Sequence, residues 1–301
     1  MDLSATVASF QTFTTVFLGI ILEAFPFLLL GVVLSAAVQV LIREETLRRL
    51  APQSRLGGVL VGSLLGLLFP MCECGAVPLT RRLLGKGVPL AVGVPFILAS
   101  PAVNPVVIAS TYIAFGGRLD IVGGRVALSI LIAAFVGLVL SYHPVPREML
   151  AALPVPAPHP PIPRPVRHQL GEVLVHAADE TFDMGRYLVL GGALAAAVQA
   201  FVPQTALLGI GQGPVVSVLV MMALAALLSI CSTVDAFVAL SFAGTFSTGA
   251  LLGFLVFGPM VDIKSTLMFA STFRRRVVAL MLILVAQAVF LLCVTINLHL
   301  E

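Results

Sequence analysis

Residues 26–42 read PFLLLGVVLSAAVQVLI and residues 186–202 read RYLVLGGALAAAVQAFV. Laid over each other without gaps, the two stretches agree at eight of seventeen positions, among them Gly31/Gly191 and Gln39/Gln199. Apolar residues match easily by composition alone; a shared glycine and a shared glutamine inside apolar sequence carry more weight. Glu23 and Asp183 fall in the same register, and Cys72 and Cys231 stand at almost the same offset. With one residue removed, PFILASPAVN (95–104) also lies over GFLVFGPMVD (253–262), pairing Phe96/Phe254, Pro101/Pro259, Val103/Val261 and Asn104/Asp262. The chain reads as an internal duplication.

Outward from that match, the composition sets the solvent. Of 301 residues, 59% are apolar and only 10% charged, with mean hydropathy +1.10. Soluble domains run near 45–50% apolar and about 25% charged, so a water-soluble fold is excluded. A spanning helix needs about 20 apolar residues, so the length allows roughly eight to ten helices in a bilayer. Residues 10–42 read as a retained first span, because Met1–Ser4 lacks the positive stretch of a cleaved leader. No basic face recurs along the chain, which argues against nucleic acid and leaves lipid as the partner. Four cysteines in so large an apolar chain do not read as a disulfide framework, and Cys293 reads as an inert small apolar residue.

Nine prolines crowd residues 144–165, a density that prevents helix and favours extended polyproline conformation. Residues 1–142 are therefore expected to form a first transmembrane repeat, 143–180 a proline-rich cytoplasmic linker, and 181–301 a second repeat. The apolar segments are 10–42, 56–80, 88–115, 120–142, 186–203, 213–240, 249–272 and 277–298. If each crossed once, basic residues would divide almost evenly between the two sides. If 56–80 and 213–240 are hairpins returning to the side they entered, fourteen of the 17 basic residues share one side and only Arg118 and Arg125 lie opposite, with Lys264 inside the membrane. The second arrangement satisfies the positive-inside tendency. It also makes the halves opposite in orientation, the inverted-repeat plan of secondary transporters. The expected fold is an all-α polytopic membrane protein of two inverted repeats, each with about four hydrophobic segments and with broken or hairpin helices at its centre.

Charge inside the apolar segments is rare and placed in the repeated motifs. Glu73 is alone between Arg55 and Arg81; Asp235 and Asp262 are alone between Arg186 and Lys264. Each costs about 2.5–3.5 kcal/mol at bilayer depth and so is expected to face a cavity or a partner. The first motif is FPMCECGAVP (69–78). Pro70, Gly75 and Pro78 are expected to break the helix, and Cys72, Glu73 and Cys74 can converge on one soft or borderline cation, which would be a transported ion. The second half answers with Cys231, Ser232 and Asp235. A second motif pair, SPAVNP (100–105) and GPMVDIK (258–264), places breaks at Pro101, Pro105 and Pro259, with Asn104 and Asp262 following and Lys264 poised to neutralise Asp262 or Asp235. Such breaks expose half-helix ends that hold ions or polar substrates. The alternatives remain open here: small cysteines packed in a tight hairpin, a structural ion pair at Glu73, and a kinked helix with a buried salt bridge.

On these residues the chain resembles the predicted permease family that includes the organoarsenical exporter ArsP, and most closely its branch carrying Cys-Glu-Cys-Gly. The resemblance rests on FPMCECGAVPLTRRLLGKGVPLAVGVPFILASPAVNPVVIAST (69–111), with CSTVDAF (231–237) and GPMVDIKS (258–265), and covers the chain apart from the linker. It implies a multi-pass permease of the bacterial inner membrane that moves a substrate outward. In the exporter proper, cysteines hold trivalent organoarsenicals, which by resemblance makes Cys72, Cys74 and Cys231 candidate ligands. Glu73 between the cysteines, and the acidic second-half motifs, depart from that pattern and make a divalent metal ion an equal candidate. No cofactor and no enzymatic activity are expected: HExxH and Gly-x-Ser-x-Gly are absent and the histidines avoid the spans. A membrane subunit of a multi-component permease, joined by an accessory membrane protein or lipoprotein, is the competing reading, and a homo-oligomer is compatible with both.

Overall fold

The computed structural model describes residues 3–42, 45–47, 52, 54–69, 71–142, 150, 166–201 and 213–300. The first half contains α1 (Leu3–Leu41), α2 (Arg55–Leu68), α3 (Glu73–Gly85), α4 (Leu90–Val103), α5 (Pro105–Ala114) and α6 (Leu119–Ser141). The second contains α7 (Val166–Phe201), α8 (Val216–Leu228), α9 (Asp235–Leu240), α10 (Thr248–Met260), α11 (Ile263–Thr272) and α12 (Arg275–Leu300). Among the described residues the only β-type pairing is an isolated antiparallel bridge between Leu150 and Phe273. Among the described residues, five stretches are long and apolar enough to cross a bilayer: Ser9–Val40, Leu90–Ala114, Leu119–Ser141, Thr248–Thr272 and Arg275–His299. The protein is an all-α polytopic membrane protein.

The matched helices α1 and α7 lie side by side and run in opposite directions. Ser35 of α1 donates a hydrogen bond to Glu180 of α7, while further along Gly192 faces Ile20, Ile21 and Phe17. The matched pair α4 and α10 also meets across the halves, as do α6 and α12, the last helix of each half, and α3 packs on α11 as α9 packs on α5. The repeat is thus inverted. At its centre α4 is buried along its whole length, and so is α10 from Gly249 onward.

Both expected hairpins are present. Gly58, Gly62 and Gly66 of α2 lie against Ala91, Val92 and Ser100 of α4, so α2 and α4 run parallel and the intervening α3 must carry the chain back. Glycines four apart let the two backbones approach closely, the packing mode that replaces the hydrophobic effect between membrane helices. In the second half, Gly253 and Gly258 of α10 face Met222 and Ala225 of α8 in the same parallel sense. The side chain of Asn297 donates to the Pro214 carbonyl and accepts from the Gly249 amide, so both ends of that excursion meet at one place. With 14 and 13 residues, α2 and α3 are each about 20 Å long and fall short of a hydrocarbon core of about 30 Å.

Three sequence expectations change. Gly75 and Pro78 sit within α3 and do not break it; the interruption precedes Glu73, and Gly75 serves instead as the place where Gly31 of α1 meets the α3 backbone. Pro101 and Pro259 likewise lie inside α4 and α10, and the breaks fall just after, at Asn104 and at Val261–Asp262; Pro105 opens α5, where its missing amide costs nothing. Pro70 lies outside the described residues. Arg125, expected in an outer loop, is 1% exposed within α6. The stretch read as linker is helical from Val166, and α7 brings Glu180 and Asp183 to Arg82 and Arg81 of α3.

Candidate substrate site at the repeat interface

Four helices begin at the centre of the molecule: α3 and α5 from the first half, α9 and α11 from the second. Their amino ends carry the positive poles of the helix dipoles, which favour carboxylates and thiolates nearby. The matched pair Asn104/Asp262 does the same local job in both halves. Asn104 caps α5, its Oδ1 accepting from the Val107 amide at 3.0 Å, and Asp262 caps α11, accepting from the Ser265 amide in a reciprocal capping box. Each break is then tied to the hairpin tip of its own half. Asn104 Nδ2 donates to the Met71 carbonyl at 3.2 Å, and the Ile263 amide donates to Ser229 Oγ at 3.2 Å. Ser229 ends α8 with a left-handed backbone (φ 45°), which turns the chain toward Cys231.

Charge links the halves. Lys264 Nζ lies 2.9 Å from Glu73 Oε1 across the interface and 3.5 Å from Asp262 Oδ2 of its own half, all three side chains being no more than 3% exposed. Asp235 is engaged elsewhere: Arg125 holds it with both guanidinium ends, at 2.9 and 2.6 Å, and also donates to Thr111 Oγ1 and to the Ser232 carbonyl. Of the two partners foreseen for Lys264, Asp262 is present and Asp235 is not; Glu73 takes its place.

The thiols meet at the same place. Cys72 adjoins Glu73, which Lys264 of the opposite half holds, and Cys231 follows shortly after Ser229, which accepts from the Ile263 amide beside Lys264; Cys72, Cys74 and Cys231 are all buried and free. Cys72, Glu73 and Cys74 share one turn, yet among the described residues no three His, Cys, Asp or Glu side chains gather into a group able to hold a metal ion. One Glu73 oxygen is committed to Lys264. The other oxygen, Glu73 Oε2, is buried without a hydrogen-bond partner, as are Ser232 Oγ and Ser100 Oγ. The site residues Cys72, Glu73, Cys74, Cys231, Asp262 and Lys264 are therefore assembled together, Asn104 positions a helix start beside them, and Ser232 and Asp235 belong to the adjoining Arg125 cluster. Sequence reasoning missed Arg125 and Glu180, although a lone arginine inside 120–142 carried the same signal as Glu73.

The sequence matches a family profile described as a predicted permease over residues 9–298. It is 47% identical over 275 residues to the UPF0718 protein YcgR of Bacillus subtilis, covering 91% of this chain and 93% of that one. It is 37% identical over 262 residues to a Streptococcus mutans protein named "Putative two-component membrane permease complex subunit", with 87% of each chain covered. A shorter match, 37% over 76 residues, is to the UPF0718 protein YraQ of Escherichia coli, spanning 25% of this chain and 22% of that one. No solved structure matches.

Proposed function

The chain belongs to this predicted permease family, and from that premise we propose that it is a secondary transporter of the bacterial inner membrane that exports a thiophilic substrate, a soft or borderline metal ion or a trivalent organoarsenical. The observation that carries the reading is the arrival of Cys72 and Cys231, one buried thiol from each inverted half, at the interface where Lys264 bridges Glu73 and Asp262. Thiolates select soft and borderline species. A site built half from each repeat is one that rocking of the repeats can open to either side in turn. Asp262 and the partnerless Glu73 Oε2, bridged by Lys264, offer the carboxylates that would take protons displaced from the thiols. Transport would then be driven by proton exchange.

The test is growth of cells expressing the chain under silver, copper, zinc and phenylarsine oxide stress, with Cys72→Ser and Glu73→Gln as variants. Protection by the wild-type chain, lost in both variants, is the expected result. If neither variant alters tolerance to any of these agents, the thiophilic reading fails.

The name of the Streptococcus mutans relative favours a second reading, a membrane subunit that transports only with a partner chain. Purification of the tagged chain from native membranes distinguishes the two. A second chain recovered in equal amount, together with silent liposomes when this chain is reconstituted alone, supports the subunit; transport by the lone chain excludes it.

A further inference from the structure

Two buried cation–carboxylate pairs cross between the halves in opposite directions. Lys264 of the second half reaches Glu73 on the hairpin motif of the first, and Arg125 of the first half reaches Asp235 on the hairpin motif of the second. The two are not alike. Lys264 stands between carboxylates of both halves, so it can release Glu73 and remain paired with Asp262. Arg125 faces one carboxylate, gripped at both ends, and its remaining contacts are a hydroxyl and a carbonyl. With Arg125 and Asp235 at 1% and 4% side-chain exposure, letting go would strand two charges in the membrane interior.

The Arg125 pair also sets the position of a thiol. Asp235 begins α9, and its amide donates to the Cys231 carbonyl at 3.1 Å, as does that of Val234 at 3.0 Å. Arg125 Nη2 reaches the Ser232 carbonyl in the same turn. The guanidinium therefore fixes the turn that presents Cys231 toward Cys72.

We propose that Arg125 is the positioning residue of the substrate site: its bond to Asp235 stays closed and holds Cys231 opposite Cys72, while Lys264 is the cation that changes partner. This rests on reading the thiol pair as the site, but it concerns geometry that is measured without substrate, so the two can fail separately.

The experiment uses the full chain in membranes with C74S and C293S, leaving Cys72 and Cys231. Iodine oxidises two adjacent thiols to one disulfide, taking two electrons to become two iodide ions while two protons leave. The Cys72–Cys231 link is then quantified by mass spectrometry. R125Q and D235N should each lower its yield about tenfold, because a disulfide closes only within a narrow range of Cα and Cβ separations, whereas the double variant K264M/E73Q should keep it within about twofold. A second reporter across the halves, R81C/D183C joined by a short bis-methanethiosulfonate in a chain whose native cysteines are all serine, should form equally with and without R125Q, since the native side chains span this gap and meet at 2.7 Å. An undiminished Cys72–Cys231 link in R125Q overturns the proposal. So does an equal loss in K264M/E73Q. Loss of the 81–183 reporter in R125Q overturns it too, by making Arg125 a support of the whole fold.

Discussion

Lys264 shows why single charges matter at membrane depth. Its ammonium is the counterion of both Glu73 and Asp262, and replacing it leaves two carboxylates facing each other in a nonpolar interior. Lys264→Met should therefore destabilise the protein by about 3–5 kcal/mol, the range for breaking a buried pair from one side. Adding Glu73→Gln to that variant should recover part of the loss by removing one stranded charge. Thermal unfolding in detergent measures both, and equal midpoints for the single and double variants would show that Glu73 draws no benefit from Lys264. Asp262 has a second task. As the cap of α11 it satisfies the Ser265 amide, and Asp262→Asn, which keeps the cap but not the charge, should cost less than Asp262→Ala by about 1 kcal/mol. The acidic members of this cluster were legible because charge is so scarce in the apolar segments. Arg125 was legible by the same rule and was passed over because it stands close enough to the start of its segment to read as loop.

At the level of helices, close approach is set by residues that lack side chains. A methyl group on Gly62 would fall on the Val92 carbonyl of α4, and one on Gly31 would fall on the backbone of Gly75 in α3. Gly62→Ala should push α2 away from α4 and lower both the yield of folded protein and its unfolding temperature, while Gly19→Ala and Gly185→Ala, where nothing lies within 4 Å, should change neither. Equal behaviour of the three variants would mean that α2 does not need this contact. The period of four in Gly58, Gly62 and Gly66 was present in the sequence as the small-residue spacing of packed membrane helices. The amino-terminal part of α7 was harder to read. Glu180 and Asp183 there look like solvated loop residues, and their partners Arg82 and Arg81 lie 98 and 102 residues away, beyond the reach of any local pattern. The proline breaks were misplaced by a few residues for a related reason. A proline removes one amide but the helix continues through it when neighbours absorb the kink, and the actual end comes where Asn104 or Asp262 offers a cap for the next helix.

Across the whole molecule, the duplicated stretch 26–42/186–202 marked the repeat and the charge tally foretold two returning hairpins and halves of opposite orientation; that the matched helices α1 and α7 pack on each other was not foretold. Moving Arg125 from loop to core strengthens that tally, since Arg118 is then the one basic residue assigned to the outer face. The hairpins decide which faces of the molecule share a compartment. With α3 carrying the chain back, residues 45–47 and Arg118 stand on opposite sides of the membrane; if residues 55–85 crossed once, they would stand on the same side. Single cysteines at Thr46 and at Arg118, each in a chain whose four native cysteines are serine, test this with a membrane-impermeant maleimide applied to spheroplasts. R118C should label in intact spheroplasts and T46C only after permeabilisation, because basic loops are retained on the cytoplasmic side. The bridge between Leu150 and Phe273 and the stacking of Arg55 over Tyr142, 4.5 Å from the ring centroid, tie together segments that this arrangement assigns to one side, and S247C should label like R118C because Asn297 gathers Pro214 and Gly249 at the other. Labelling of T46C and R118C from the same side would remove the hairpins from the membrane topology, and with them the opposed orientation of the halves on which the proposed alternating access to Cys72 and Cys231 depends.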